Sequence, residues 1–74
     1  LYPNPTNASF TLSTSTAMQH IHIIDLSGKV LFMNNVPGQQ QTVVATDDMP
    51  AGMYIVQIGM EDGSVVNKRL QIIR

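Results

Sequence analysis

His20 and His22 are separated by one residue. On an extended strand that spacing sets both imidazoles on one face, about 6.5–7 Å apart. Imidazole is a metal ligand, but a zinc site needs three or four donors. The remaining candidates, Asp25, Asp47, Asp48, Glu61 and Asp62, fall among turn residues and repeat no ligand spacing. The expected role is an outward-facing polar pair opposite Ile21 and Ile23, with no metal and no cofactor. The adjacent carboxylates Asp47-Asp48 and Glu61-Asp62 could supply acid–base chemistry only by facing each other across a cleft. Neighbouring turn residues point apart, so turn capping is the better account. Cysteine is absent and both histidines share one segment, so no nucleophile has an evident base. The expectation is a domain that is not an enzyme and has no catalytic residue.

Three other features carry chemistry of a different kind. Lys68-Arg69-Leu70-Gln71-Ile72-Ile73-Arg74 holds three of the four basic residues of the chain. Its types allow two readings: cations that protect a sheet edge, or an address read by another protein, for instance by strand addition. Tyr2-Pro3-Asn4-Pro5 is stiff and extended, because each proline fixes its own φ and restricts the residue before it. Asn7-Ala8-Ser9 matches an N-glycosylation sequon, although Asn7 is as readily a turn residue entering the first strand.

The elements that position these residues are short and all of one type. With 74 residues, 43% of them hydrophobic, a net charge of −1 and no cysteine, the chain fits one globular domain without disulfide or thiolate–zinc support. That charge gives no field for steering toward nucleic acid. The chain begins at Leu1 without a signal-peptide pattern, so it reads as a piece of a larger protein. Valine and isoleucine number seven each and threonine six, residues that suit a pleated surface. Turn clusters recur at intervals that indicate an all-β sandwich or barrel. Between them the sequence predicts strands over 9–14, 19–26, 29–33, 41–46, 53–58 and 64–73. Phe10 and Leu12 point inward in the first, and Ile21 and Ile23 in the second. The segment 53–58, apolar on both faces, belongs near the middle of a sheet. Asp25 is expected to cap a hairpin turn in which Gly28 takes positive φ, and Glu61-Asp62-Gly63-Ser64 forms a second.

Taken in order, Tyr2-Pro3-Asn4-Pro5, Phe10-x-Leu12, Ile23-x-Asp25-x-x-Gly28-Lys29-Val30, Met49-Pro50-Ala51-Gly52-Met53-Tyr54-Ile55-Val56 and Lys68-x-Leu70 resemble the type IX secretion C-terminal sorting domain. The resemblance covers nearly the whole chain. It implies a small immunoglobulin-like antiparallel β-sandwich of six to seven short strands, one sorting domain over residues 1–74. It also implies a C-terminal secretion signal. The cargo, covalently joined upstream, would reach the periplasm and pass through the outer membrane to the cell surface of a Gram-negative bacterium. Its partners would be outer-membrane secretion components and a surface sortase-like protease that removes the domain and attaches the cargo.

Residue by residue, Tyr2, Pro3, Asn4, Pro5, Asp25, Gly28, Pro50, Gly52 and Tyr54 match structural positions of the family motifs. Lys68, Arg69, Leu70, Gln71, Ile72, Ile73 and Arg74 match the terminal segment needed for recognition by the translocon. Ala8 stands where glycine often follows the asparagine, and Met49 replaces the commoner leucine. Exposed edge strands give a homo-oligomer a route to form. The rival reading is a non-catalytic sandwich module that binds polysaccharide or peptide for a neighbouring hydrolase. Such modules present a planar row of aromatics, and this chain has only Tyr2, Phe10, Phe32 and Tyr54.

Overall fold

The alternation of apolar and polar residues and the abundance of β-branched side chains produce four antiparallel strands and no helix among the described residues, 9–73, of the computed structural model. They are β1 (Ser9–Asp25), β2 (Val30–Ala45), β3 (Gly52–Met60) and β4 (Val65–Ile72). They form one sheet in the order β2-β1-β3-β4. The segment expected in the middle of a sheet is there, with β3 paired to β1 on one side and β4 on the other.

Strand number is a correction. Six or seven short strands in a sandwich were expected, whereas the described residues give four strands in a single sheet. The segments 9–14 and 19–26 are one continuous strand, and so are 29–33 and 41–46. The two gaps left between these segments, 15–18 and 34–40, are absorbed as irregularities instead. Between Ser13↔Gln41 and Met18↔Gln39, β1 advances five residues while β2 moves two. Between Met18↔Gln39 and His20↔Asn35 the surplus falls on β2, at Val36-Pro37-Gly38. Pro37 is tolerated because β2 lies at the margin of the described sheet, where a missing N–H costs no ladder bond. Gly38 carries the accompanying positive φ of 76°.

A bulge at Gln19 sets which side chains face the core. Met18 pairs with Met60 and His20 with Gly59, so two steps on β1 oppose one on β3. Inward parity therefore changes along one strand. Phe10, Leu12 and Met18 are buried before the bulge, and Ile21 and Ile23 after it. On β2 the register places Val44 opposite Phe10, where it is buried, while Val43 is exposed. Val56, Ile58 and Met60 of β3 and Leu70 and Ile72 of β4 complete the cluster, with Val36, Met49 and Tyr54.

Candidate functional site

Two hairpin turns use the same side-chain device. The Asp25 carboxylate accepts hydrogen bonds from the Ser27 hydroxyl at 2.6 Å, the Ser27 amide at 2.9 Å and the Lys29 amide at 3.0 Å. The Asp62 carboxylate likewise accepts from the Ser64 hydroxyl at 2.6 Å and the Ser64 amide at 2.9 Å. Gly28 and Gly63 supply positive φ of 92° in each turn, as expected for Gly28. Asp25 and Asp62 are thus caps.

The hydrogen bond from the Ser27 hydroxyl, followed by the Lys29 amide, holds the Asp25 carboxyl below its ordinary value of 3.8. The Ser64 hydroxyl and amide do the same for Asp62. A lowered folded-state pKa contributes stability that is present above the unfolded value and lost as pH falls through the folded one. The urea midpoint of the wild type should therefore fall on acidification below about pH 4. That of Asp25→Asn, which cannot ionise, should fall less over the same window. Parallel curves for the two proteins would show that the cap does not couple folding to protons.

The Pro50-Ala51-Gly52 bend leads into β3, with Gly52 at φ 154°. Tyr54, 5% exposed, donates its hydroxyl hydrogen bond to the Pro50 carbonyl at 2.6 Å. The ring fills the core while its hydroxyl ties down the bend four residues upstream, the arrangement of a tyrosine corner. Sequence reasoning placed Tyr54 in the motif but missed this bond; the signal was a tyrosine two residues after the glycine of a proline-led bend. Tyr54→Phe keeps the ring and removes the hydroxyl that bonds the Pro50 carbonyl. It should cost about 1 kcal/mol in urea denaturation, and an unchanged midpoint would show that the bond does not hold the bend.

The terminal segment divides by face. Leu70 and Ile72 are buried, at 0% and 2% exposure, so two of the seven expected address residues are core. Lys68 is exposed but opposes Val56 across the β3–β4 ladder and so shares the inner face. It lines a shallow depression with Thr16, Ser64 and Val66. Arg69, also exposed, opposes Ile55 on the outer face and lines an apolar depression with Leu26 and Met53. Gln71 and Ile73 are exposed. Tyr2, Pro3, Asn4, Pro5, the Asn7 sequon and Arg74 lie outside the described residues.

His20 and His22 fall on the outer face as expected, both half-buried, with ring centroids 4.9 Å apart. Among the described residues no group of three or more histidine, cysteine, aspartate or glutamate side chains gathers as a metal site, and no helix is long and apolar enough to cross a membrane.

The described residues thus form an all-β domain in which Asp25 and Asp62 cap hairpin turns and β4 presents one cation to each face. The chain belongs to the secretion system C-terminal sorting domain family, whose model matches residues 1–73. It is therefore a C-terminal sorting signal for type IX secretion. The family is one of sorting signals rather than catalysts. No curated protein matches the chain.

Proposed function

We propose that β4 and the residues after it are the part of the signal that the translocon reads, with Lys68 and Arg69 as its charged determinants. The observation that carries this reading is the placement of β4: it is the last strand in the described sheet, and its two cations project from opposite faces. A partner gripping this margin could contact both cations at once. Such contacts with acidic groups would set register and orientation. Leu70 and Ile72 anchor the strand from beneath and hold the cations in place.

The rest of the pathway belongs to the same proposal. Residues 1–74 act as one domain at the end of a larger exported protein, which reaches the periplasm by its own signal and crosses the outer membrane of a Gram-negative cell. A surface sortase-like protease then removes the domain and attaches the cargo. The immunoglobulin-like sandwich is also part of this reading. Its support is the tyrosine corner and a single buried cluster that takes in both ends of β1, from Phe10 to Ile23. Among the described residues the accessory-module alternative finds no platform, since Phe10 and Tyr54 are buried and Phe32 is half-buried.

The test is a fusion of an N-terminal signal peptide, a reporter and residues 1–74 in a host with type IX secretion. The reporter should appear at the cell surface or in the medium. Retention in the periplasm at the level of the reporter alone would overturn the reading.

A further inference from the structure

The outer face of the sheet carries a cluster of donor atoms outside the β4 determinants proposed above. His20 and His22 face outward because Ile21 and Ile23, which alternate with them, are wholly buried on the other side. Their rings lie 4.9 Å apart, centroid to centroid, tilted by 35°. A metal bound at about 2.0 Å from an imidazole nitrogen sits about 3.2 Å from that ring's centroid. Centroids 4.9 Å apart then subtend about 100° at a shared ion, between the square-planar and tetrahedral angles.

The neighbouring strands supply a seat and further donors. His20 opposes Gly59 on β3, and the imidazole occupies the space a side chain would take there. A Cβ built on Gly59 would come within 2.6 Å of the His20 Nδ1 and closer to two other ring atoms. This contact limits the positions open to the His20 ring. On the other side His22 opposes Met33 of β2, and both line an open depression with Asn34 and Asn35. Met33 is 67% exposed, so its thioether stands free at the rim. Two imidazoles and a thioether are a mixed set. Imidazole suits several transition metals, thioether favours copper, and copper stands highest in affinity among the divalent ions of the first row.

We propose that His20 and His22, with Met33 beside them, form a copper-binding site on the outer face of the sheet. Water completes the coordination, so the site is open and the ion exchangeable, unlike a closed structural zinc site. Gly59 positions the site by leaving room for the His20 ring.

The experiment is titration of the 74-residue chain with Cu(II), and separately with Zn(II), read by calorimetry and by electron paramagnetic resonance. The double variant His20→Gln/His22→Gln serves as reference, because it retains every other donor of the chain, including the terminal amine. The wild type should bind one additional Cu(II), more tightly than Zn(II), with a signal showing two nitrogen donors. His20→Gln and His22→Gln singly should each weaken that site by about tenfold or more, since losing even an outer-shell partner of a metal ligand costs about that much. Far-UV circular dichroism of each variant confirms that the sheet is intact. Met33→Leu should weaken Cu(I) binding, measured against a competing chelator without oxygen, more than Cu(II) binding. Equal stoichiometry and affinity in wild type and double variant would overturn the site. A wild-type signal with one nitrogen donor would overturn the shared coordination, and Cu(I) affinity unchanged in Met33→Leu would remove the thioether.

Discussion

A chain truncated before Lys68 is expected to lose export altogether, and to lose it chiefly because the domain no longer folds. The deletion removes Leu70 and Ile72, both fully or nearly fully buried, together with the ladder partners of Gly52–Val56. Loss of one such side chain costs about 2–5 kcal/mol. Losing two approaches the whole stability of a domain, about 5–15 kcal/mol, of which a 74-residue chain commands the lower part. Truncation alone therefore cannot distinguish an address from a structural strand. The charge variants can. Lys68→Gln and Arg69→Gln alter exposed side chains on opposite faces and should leave the urea midpoint within about 0.5 kcal/mol of wild type. If the cations are read, the double variant stays folded and traps a reporter fusion in the periplasm, with the single variants intermediate. Wild-type export of a folded double variant would remove the cations from the address and leave the shape of the strand as the signal.

The hairpins were legible because turn chemistry is local. Asp25–Lys29 and Asp62–Ser64 contain within five residues every atom that the caps use, so composition alone located them. Inward faces were legible too, since Phe10 with Leu12 and Ile21 with Ile23 each alternate along the strand and are buried. The number of strands was not. Ser13–Thr16 and Asn34–Gly38 have the composition of turns, and what keeps them within strands is pairing between residues far apart in sequence. The same holds for the terminal segment. Its basic character is visible in the sequence, but the division of Lys68 and Arg69 between faces follows from the β3–β4 register, which fixes Lys68 against Val56. The Gly59 seat for His20 belongs to this group, because a cross-strand pair leaves no trace in either residue's neighbours along the chain.

Deletion of His22 and deletion of Gln19, three positions apart on β1, are expected to have opposite outcomes. In a strand the side-chain period is two, so removing a ladder residue turns everything on one side of the gap to the other face. Without His22, Ile21 and Ile23 become neighbours and cannot both keep their inward sites opposite Ile58 and Val56. The gentlest rearrangement lets the bulge take up the loss. Gln19 then moves to the place of His20, His20 to that of Ile21, and Ile21 to the outer face. That puts an imidazole into a site with 0% exposure and takes an isoleucine out of it. The lost packing costs about 2–5 kcal/mol, and an unpartnered buried polar group adds about 1–3 kcal/mol, enough to abolish the cooperative transition of so small a domain. Gln19 is different because it is the extra residue of the bulge. Removing it leaves Met18 against Met60 and His20 against Gly59 as consecutive ladder pairs, with Met18 still inward and His20 still outward. That variant should keep a cooperative urea transition near the wild-type midpoint. If deletion of Gln19 proves as damaging as deletion of His22, the bulge is required for the bend of the sheet and not only for the parity of the strand.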